Sequence, residues 1–400
     1  MNILILGAGQ QGYAVAVDLL RERELLKVTI TDTNVDRLDF VWGELGDPRV
    51  VVRAADSAEP ATLSNLFAEH DAVVSALPCD LNLELARLAV ASKRHFVDIG
   101  GSTEVTVKEL ALHDEARSAG IALLPDMGLA PGMANVVAAD LIEGFDECDT
   151  IRIRVGGLPV RPVGPLGYRL VFSVEGLLAE YGGEAEILRR GQRIRVAALS
   201  ELEPVELPPP FGQGEAAITA GGLSTMPETF EGKLANLDFK TIRYPGHFEK
   251  VRFLAALGLL DREEKDYGRG IKLSPRVVVG EAFSRATHFP DVPDLVVFRV
   301  TAEGDSGGER IRTVVESLDF GEPARGVTAM MRMTAYPAAS AVRRLARGEL
   351  ELAGAFPPER GIPWQDLRND LESRNISFTQ REGPVASMTR KTGRVDALEL

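Results

Sequence analysis

The chain has 400 residues, of which 45% are hydrophobic and 26% are charged, with 39 glycines, a composition typical of a globular α/β protein with more than one domain. Its net charge of −14 argues against nucleic acid or an anionic membrane as a partner. Cys79 and Cys148 are too few for a disulfide framework, and the apolar run at residues 3–6 is too short for a signal peptide or a membrane span. We therefore expect a cytoplasmic protein without a metal ion, whose partner is a small molecule.

The chain opens with an apolar strand, a glycine-rich turn and a helix. The run at residues 2–6 has the character of a parallel strand that is buried on both faces, and residues 13–21 carry a helical apolar stripe. Between them, the first glycine permits a tight turn, the second lets a pyrophosphate approach the backbone, and the third lets the helix pack on the strand. The N–H groups of the helix then face the phosphates. The expected dinucleotide contacts here are Gly7, Gly9, Gln10, Gln11 and Gly12.

A second strand at residues 27–31 is followed by Asp32, 20 residues after Gly12. A carboxylate at this place accepts both ribose hydroxyls of NAD and repels the 2′-phosphate of NADP. The alternative is that Asp32 only caps the helix that begins near Asn34. The pattern predicts a Rossmann domain with NAD as its cofactor.

Strands and helices then alternate up to residue 124. Strands are predicted over 50–52, 72–77, 95–98 and 121–124, and helices over 61–69, 83–92 and up to 119. This alternation predicts a doubly wound parallel sheet, in which ligands lie beyond the carboxyl ends of the strands. Each residue at these ends has the alternative of simple turn chemistry. The residues expected to line the crevice are Asp56 near the adenine, then Ser75, Ala76, Leu77, Pro78, Asp98, Ile99, Gly100, Gly101 and Asp126.

After the loop at residues 125–132 the regular alternation stops. The next part reads as a second, α+β domain built on an open mixed sheet that closes over the cofactor. Its predicted strands cover 150–155, 194–197, 277–279, 295–302 and 310–317. The predicted organisation is a Rossmann domain (1–130), a substrate domain (131–335), C-terminal helices near 338–347 and 364–373 within 336–381, and a disordered tail (382–400).

Several motifs carry a family resemblance across the chain. They are Asp126-Met-Gly-Leu-Ala-Pro-Gly-Met-Ala-Asn135, Val155-Gly-Gly-Leu-Pro159, Pro165-Leu-Gly-Tyr168, Thr241-Ile-Arg-Tyr-Pro-Gly-His247 and Phe356-Pro-Pro-Glu359. With these motifs the chain resembles the saccharopine dehydrogenase superfamily, and within it the L-lysine 6-dehydrogenases. The resemblance implies that the ε-carbon of lysine gives a hydride to NAD, leaving an imine that hydrolyses to the semialdehyde or cyclises. It also implies that the C-terminal helices return to the first domain.

Such a substrate needs a cation for its α-carboxylate and an acceptor for the proton of its ε-amine. Arg243 can supply a bidentate fork, and His247 or Asp126 can accept the proton. The alternatives are that Arg243 is a structural residue stacked on Tyr244, that His247 is a satisfied turn histidine, and that Asp126 caps the helix at Pro131.

Two further residues, Tyr168 and Thr225, are candidate hydroxyl groups of the substrate site. A saccharopine-type reductase, or another imine-forming dehydrogenase on the same scaffold, is the second enzyme hypothesis. A nucleotide-sensing regulator without turnover is the hypothesis from another class. We also expect a homo-oligomer.

Overall fold

The computed structural model describes residues 1–56 and 60–385. Among these residues no helix combines the length and the apolar character needed to cross a membrane. The strands are β1 Asn2–Leu6, β2 Lys27–Asp32, β3 Val50–Ala54, β4 Ala72–Ser75, β5 His95–Asp98, β6 Ala122–Leu124, β7 Glu147–Pro159, β8 Glu184–Arg189, β9 Gln192–Ala197, β10 Glu203–Glu206, β11 Gln213–Ile218, β12 Asn236–Arg243, β13 Lys265–Asp266, β14 Lys272–Leu273, β15 Asp294–Ser306, β16 Glu309–Phe320, β17 Gly354–Ala355 and β18 Thr379–Pro384.

Helices alternate with the first strands and are fewer between β7 and β16. They are α1 Gln10–Leu19, α2 Val35–Leu45, α3 Pro60–Ala68, α4 Asn82–Ser92, α5 Thr103–Leu110, α6 His113–Ala119, α7 Met133–Glu143, α8 Val174–Glu180, α9 Met226–Thr229, α10 His247–Ala256, α11 Pro275–Ala286, α12 Ala329–Ala346, α13 Pro358–Gly361 and α14 Trp364–Glu372.

The chain divides into two compact units. Unit 1 comprises Met1–Asp140, Leu223–Thr229 and Gly321–Ile376, and unit 2 comprises Leu141–Gly222, Phe230–Phe320 and the chain from Ser377 onward. These units differ from the sequence-based boundaries at 130, 335 and 381. The short segment that contains α9 joins unit 1 from the middle of the chain, and no local pattern marks such an excursion.

Unit 1 is built on a parallel sheet with the strand order β17-β6-β5-β4-β1-β2-β3. The predicted doubly wound parallel sheet is confirmed. Leu6 is in register with Thr31 on one side and with Ser75 on the other, and Ser75 is in register with Asp98. Because all these strands are parallel, the residues that follow them emerge at one edge of the sheet.

The C-terminal part of unit 1 adds a strand and a long helix. β17 pairs in parallel with β6, so the sheet takes its last strand from far along the chain. The predicted helix over 338–347 corresponds to the C-terminal part of α12, which begins nine residues earlier at Ala329, contains Pro337 and ends at Ala346 with Arg347 as its C-cap. The prediction was too short because an internal proline usually marks the start or the end of a helix.

Unit 2 is built on a mixed sheet with the order β10-β11-β12-β7-β15-β16-β18, and β8 and β9 extend it beside β12. The pair of β12 and β7 is parallel, whereas β15 is antiparallel to both β7 and β16. This confirms the predicted mixed sheet. Its core includes Leu158, Ile242, Leu295 and Val297, which are side chains of β7, β12 and β15.

Two secondary-structure predictions need correction or restriction. The predicted strand over 277–279 is wrong, because these residues lie in α11. Three consecutive valines favour a strand, but Pro275 at the first helical position starts a helix that buries Val279 and Phe283, four residues apart, on one face. Of the tail predicted to be disordered, residues 382–384 belong to β18, and residues 386–400 lie outside the described residues.

Candidate active site

The glycine turn of unit 1 shows which of its glycines the fold itself requires. A Cβ atom on Gly7, whose φ is +99°, would lie 2.9 Å from the carbonyl oxygen of Ala76, and one on Gly12 would lie 1.9 Å from that of Gly7. A Cβ on Gly9 would meet no heavy atom within 4 Å. Packing therefore explains the first and third glycines, while the second keeps open a space in which a ligand can approach the backbone.

Helix α1 begins directly after this turn, and no side chain of its N-cap residue bonds its first N–H groups. Gly9 is its N-cap and supplies no side-chain cap. Gln10 is exposed, and the buried Oε1 atom of Gln11 has no hydrogen-bond partner among the described residues. Uncapped N–H groups at a helix N-terminus attract an anion, so the turn and the helix fit a dinucleotide pyrophosphate.

Asp32 connects the end of β2 to the glycine turn. Its Oδ2 atom accepts a hydrogen bond from Ala8 N at 2.8 Å, and its Oδ1 atom accepts one from Asn34 N at 2.9 Å. The N-cap of α2 is Asn34, whose side chain accepts from Arg37 N, so the alternative role of Asp32 as this cap does not apply. The carboxylate keeps lone pairs for the hydroxyls of a ribose.

The other predicted cofactor residues follow strands of the same sheet. Asp56 lies two residues beyond β3 and is exposed. Ser75 is buried and donates a hydrogen bond to Asn82 Oδ1 at 2.7 Å, so its hydroxyl is already used. Asp98, at the end of β5, is fully buried. The residues after β4 and β5 that remain candidates for contact with a dinucleotide are Ala76, Leu77, Pro78 and Ile99.

Three carboxyl groups are buried together in unit 1, and we call Asp98, Glu109 and Asp126 the acid cluster. Asp98 is the last residue of β5, Glu109 lies on the buried face of α5, and Asp126 comes after β6. Asp98 Oδ1 accepts hydrogen bonds from Gly100 N at 2.7 Å and from Asp126 N at 3.1 Å. Backbone N–H groups thus hold the strand ends together around a carboxylate.

Burial governs the protonation of the acid cluster. It raises the pKa of Glu109 and of Asp98. Repulsion from Asp98 and Asp126 raises the pKa of Glu109 further, and repulsion from Asp126 raises that of Asp98. With both groups ionised, neither Asp98 Oδ2 nor Glu109 Oε1 has a donor within the described part of the chain. With Glu109 protonated, its carboxyl donates a hydrogen bond to Asp98. One proton shared by Asp98 and Glu109 therefore removes the repulsion between their two carboxylates.

Asp126 has a left-handed backbone conformation, and its side chain is hydrogen-bonded. Its φ is +62°, in the left-handed region that aspartate and asparagine adopt more often than most residues other than glycine. Its Oδ2 atom accepts hydrogen bonds from Thr106 Oγ1 at 2.8 Å and from Ser224 Oγ, whereas its buried Oδ1 atom has no partner among the residues described. Burial raises the pKa of Asp126 to about 6, although the two hydroxyl donors and the Gly101 N–H oppose this shift. A carboxylate with one free oxygen and this pKa can accept a proton near neutral pH.

Thr225 lies beside Ser224 but is engaged elsewhere. Its hydroxyl donates to Glu359 Oε1 at 2.8 Å, and Thr229 donates to the same oxygen at 2.7 Å. Asn135 Nδ2 donates to Glu359 Oε2 at 3.3 Å. Glu359 therefore ties the segment of α9 to α7, which gives the motif that ends at Glu359 a structural function within unit 1.

A second buried polar group lies in unit 2, and we call Tyr168, Glu180, Tyr181, Arg243 and His247 the arginine cluster. Arg243 is the last residue of β12 and His247 is the first of α10, separated by a tight turn. Glu215 Oε1 and Oε2 accept hydrogen bonds from the N–H groups of Phe248 and Gly246, which fixes the start of α10. The motif of residues 241–247 thus becomes a strand end, a turn and a capped helix.

Aromatic rings enclose the Arg243 guanidinium, only 2% of whose residue surface is exposed. Its Cζ atom lies 4.7 Å from the ring centre of Tyr168 and 5.9 Å from that of Tyr181, within the range of cation–π attraction. Tyr244, the stacking partner considered from the sequence, instead donates its hydroxyl to Pro159 O. The arginine is therefore stacked, but on a tyrosine from the loop after β7.

A directional chain of hydrogen bonds connects Arg243 to His247. Arg243 Nε donates to Tyr181 Oη at 3.1 Å, and Tyr181 Oη lies 2.8 Å from His247 Nε2. His247 Nδ1 lies 3.0 Å from the carbonyl oxygen of Leu166; since a carbonyl only accepts, Nδ1 carries the proton and Nε2 accepts from Tyr181. Burial, together with the Arg243 charge, lowers the pKa of His247 to about 3. Both ring nitrogens are used, and the ring stays neutral.

The opposite side of the arginine cluster has unused hydrogen-bonding capacity. Arg243 Nη2 lies 3.7 Å from Glu180 Oε2, beyond hydrogen-bond distance, and that buried oxygen has no hydrogen-bond partner among the described residues. The Tyr168 hydroxyl is fully buried and likewise unpartnered in the described chain, although the Val171 N–H faces it. The Arg243 guanidinium, the Glu180 carboxyl and the Tyr168 hydroxyl can therefore each form a further hydrogen bond with a ligand.

Sequence analysis did not identify several of these groups. Thr106 and Glu109 are polar residues on the buried face of α5, and polar residues at core-facing helix positions are a signal that periodicity can reveal. Ser224 adjoins the predicted Thr225. No comparable signal marks Glu180 and Tyr181, which end α8 and reach Arg243 only through the tertiary fold.

Comparison with known proteins assigns a family. Residues 3–124 match the saccharopine dehydrogenase NADP binding domain, and residues 128–376 match the saccharopine dehydrogenase C-terminal domain. Saccharopine dehydrogenase (NADP(+), L-glutamate-forming) of Pyricularia oryzae is 27% identical over 221 residues, which is 53% of this chain and 48% of that protein. The matched part of the chain therefore spans about half the length of this curated relative.

Two further comparisons cover nearly the whole chain. Carboxynorspermidine synthase of Vibrio cholerae is 23% identical over 393 residues, which is 91% of this chain and 93% of that protein. The apo structure of saccharopine dehydrogenase (L-Glu forming) from Saccharomyces cerevisiae has a TM-score of 0.79 at 18% identity and covers 96% of this chain and 99% of that one, which shows a common fold. The family matches confirm the resemblance at the level of the superfamily: the chain belongs to the saccharopine dehydrogenase family, whose members are NAD(P)-binding oxidoreductases.

Proposed function

We propose that this protein is an NAD-dependent dehydrogenase that oxidises the ε-amine of L-lysine. In this reaction the ε-ammonium loses a proton, the ε-carbon then loses a hydride to give an iminium ion, and water converts that ion to the semialdehyde and ammonium. NAD, when bound, supplies the hydride acceptor. The observation that carries the proposal is the arginine cluster, in which a buried guanidinium has a free side.

Arg243 and Tyr168 are proposed to bind the α-carboxylate of the substrate. The Nη2 group of Arg243 lies 3.7 Å from Glu180 Oε2, beyond hydrogen-bond distance, and the Tyr168 hydroxyl has no hydrogen-bond partner among the described residues. A buried cation is costly unless an anion compensates it, and a carboxylate in this place accepts charge-assisted hydrogen bonds from both residues. This contact would orient the α-end of the substrate and leave its ε-end to react.

Unit 2 favours a substrate with one carboxylate at this end. Its other deeply buried cations are already compensated: Arg154 Nη1 lies 2.5 Å from Asp238 Oδ1, and Lys240 Nζ lies 2.7 Å from Glu203 Oε2. Within the described residues of unit 2, Arg243 is thus the buried cation that keeps capacity for a substrate anion. Lysine has one carboxylate, whereas saccharopine has three, so the charge balance supports the smaller substrate.

The cofactor is proposed to be NAD. The open space at Gly9 and the N-terminus of α1, which has no side-chain cap, fit a pyrophosphate. Asp32 would accept the ribose hydroxyls and repel a 2′-phosphate. The name of the Pyricularia oryzae relative specifies NADP(+), and the Asp32 carboxylate is the feature that supports a different preference here.

Asp126 is proposed to accept the proton of the ε-ammonium. Its Oδ1 atom has no partner in the described chain, and its pKa is raised to about 6, so the ionised form is present at neutral pH and can act as a base. His247, the other base considered from the sequence, has both ring nitrogens engaged and a lowered pKa. These properties support Asp126 for this role.

A saccharopine-type reaction is the second candidate, favoured by the family matches and by the name of the Pyricularia oryzae relative. Both candidates oxidise a carbon bonded to nitrogen, and they differ in the size and charge of the substrate. A regulator that binds nucleotide without turnover is the remaining hypothesis, and it leaves the free donors of the arginine cluster without an explanation.

The test is formation of NADH or NADPH with a panel of L-lysine, L-ornithine, saccharopine and carboxynorspermidine, at pH 7 to 10. We expect turnover of L-lysine with NAD, rising with pH because an ammonium has no lone pair to assist hydride loss. Tighter binding of NADP than of NAD would contradict the cofactor assignment. Turnover of saccharopine with no turnover of lysine would replace the proposal by the second candidate.

A further inference from the structure

Glu180 is a charged residue of the arginine cluster for which neither the fold nor the proposed reaction yet supplies a role. It is the last residue of α8, and about a third of its side-chain surface, 32%, is exposed, while its Oε2 atom is buried. This oxygen accepts no hydrogen bond from the described residues, and the guanidinium of Arg243 lies 3.7 Å away. The carboxyl is therefore near a cation without being bonded to it.

Unit 2 also contains ion pairs in direct contact, which can be compared with Arg243 and Glu180. Arg154 Nε lies 2.6 Å from Glu203 Oε1 and its Nη1 lies 2.5 Å from Asp238 Oδ1, so the charged atoms are in direct contact. A buried pair contributes stability only with such geometry and with its remaining atoms hydrogen-bonded. The looser placement of Glu180 and Arg243 therefore does not serve stability in the way that the Arg154 pair does.

An α-amino acid has complementary charges at a short distance. Its carboxylate and its ammonium are attached to the same carbon atom, so a protein that binds both needs a cation and an anion only a few ångströms apart. Arg243 and Glu180 have this arrangement, and the buried Tyr168 hydroxyl adds a donor beside them. Binding both charges at once would also give each buried group a partner.

We infer that Glu180 binds the α-ammonium group of an α-amino acid substrate whose α-carboxylate is bound by Arg243 and Tyr168. The inference rests on the proposed function for the carboxylate, and it adds a specificity: the protein selects an intact α-amino acid over a carboxylate that lacks the α-amino group. Glu180 is then a residue that contacts the substrate at the end remote from the reacting carbon.

The burial of the Glu180 carboxyl gives this role a physical basis. Burial raises the pKa of Glu180 to about 7, and the Arg243 charge opposes the shift. An ammonium group placed against the carboxyl favours its ionised form, so the ligand itself supplies the compensation that the empty cluster lacks. A ligand without the ammonium would leave Glu180 as it is in the free protein.

The experiment measures binding and does not depend on turnover. L-Norleucine has the α-carboxylate and the α-ammonium of lysine but no ε-amine, and hexanoate has the carboxylate alone. Their affinities for the full chain, with and without NAD, are measured by isothermal titration calorimetry. We expect L-norleucine to bind at least tenfold more tightly than hexanoate, since a charge-assisted contact is worth this factor or more.

Glu180→Gln is the decisive variant, because it keeps the size of the side chain and removes the charge. The preference for L-norleucine should shrink to less than about threefold, while hexanoate binding stays equal or improves. Glu175→Gln is the matched control, since Glu175 is an exposed acid of the same helix, and it should retain the full preference. Tyr168→Phe should weaken both ligands by the same factor.

Glu180→Asp replaces the glutamine variant if that variant does not fold. Its preference for L-norleucine over hexanoate should be weaker than the parent's but should not be lost. An unchanged preference in the Glu180 variants, or no preference in the parent, overturns the inference even if lysine is oxidised. A preference that depends on Glu180 in a protein that does not oxidise lysine supports the inference and contradicts the proposed function. The two ideas are thereby tested separately.

Discussion

The acid cluster of unit 1 and the arginine cluster of unit 2 solve the same physical problem differently. Each places charged side chains where water does not reach them, at a cost of several kcal/mol per uncompensated ion. In the acid cluster the compensation is a proton, shared between Asp98 and Glu109. In the arginine cluster no proton can be removed from Arg243, and the compensation comes from aromatic faces and a chain of hydrogen bonds.

This difference separates what each cluster can do. A group that is neutralised by a proton can exchange it, so the acid cluster is suited to proton transfer. A guanidinium that keeps its charge and one free side is suited to bind an anion. The histidine belongs to the second cluster yet does not titrate near neutral pH, because burial and the Arg243 charge lower its pKa to about 3.

Asp126→Asn is expected to have the largest effect. The amide cannot accept a proton, so kcat for lysine should fall about 10²- to 10⁴-fold, the usual contribution of acid–base catalysis. The rise of the parent rate with pH through about 6 should disappear as well. Asparagine tolerates a positive φ and removes a buried charge, so the melting temperature should stay equal or rise.

The melting temperature is the control for this variant, since a rate loss with lower stability indicates misfolding. Thr106→Val removes one donor to Asp126 and should raise the pKa seen in the pH–rate profile, because the donor stabilises the ionised carboxylate. An Asp126→Asn variant with the parent's rate and pH profile would show that the acid cluster has no part in proton transfer.

Arg243→Ala is expected to have the next largest effect. The variant leaves the α-carboxylate unpaired in a partly dry site, which costs on the order of 2–5 kcal/mol, so kcat/KM for lysine should fall roughly 30- to 4000-fold. Binding of NAD, measured by titration, should be unchanged. Arg243→Lys keeps the charge but loses the fork and should lie between the parent and the alanine variant. Equal losses of lysine turnover and NAD binding would indicate a purely structural arginine.

His247→Gln should have a small effect on kcat/KM, and it tests whether the base belongs to the acid cluster or to the arginine cluster. The glutamine carbonyl can still accept from Tyr181, while the contact with the Leu166 carbonyl is weakened. We expect kcat/KM to fall less than about tenfold, the scale of one neutral hydrogen bond, with the acid limb of the pH–rate profile unchanged. If that limb vanished in this variant and persisted in Asp126→Asn, the assignments of the two clusters would be reversed.

The sequence was sufficient for the parts of these clusters that adjacent residues determine. The strand ends at Asp98 and Asp126, and the pair Arg243 and His247, follow from apolar runs and motifs that are local. Glu180 and Tyr181 could not be found in this way, because Tyr181 lies 62 positions before Arg243 and only the tertiary fold brings the end of helix α8 to that residue. The same limit applies to Ser224, which reaches Asp126 from 98 positions away.

Local propensity also failed where tertiary context overrides it. The three valines at 277–279 favour a strand, and two of them are exposed on helix α11, so their β-branched side chains are not packed as a strand would pack them. The start of α12 was missed because Pro337 lies inside it. The predictions of a homo-oligomer and of a cytoplasmic location remain predictions.

Glu109→Gln should have the smallest effect on rate and a measurable effect on stability. The folded protein raises the pKa of Glu109 above its unfolded value, so the native state keeps a proton that the unfolded state loses as the pH rises above about 4.5. Since stability falls wherever the native state binds more protons, this carboxyl makes the parent less stable at pH 9 than at pH 5. A glutamine does not titrate, and its amide still donates to Asp98 as the protonated carboxyl does. The loss of unfolding free energy between these pH values should therefore be smaller in the variant than in the parent, by on the order of 1–3 kcal/mol, when thermal unfolding is followed at pH 5, 7 and 9.

Glu104→Gln, at an exposed acid of the same helix that pairs with Lys108, is the control and should leave the pH dependence as in the parent. An unchanged slope in Glu109→Gln would mean that Glu109 is ionised in the folded protein, and the acid cluster would then need a compensating cation in place of a shared proton.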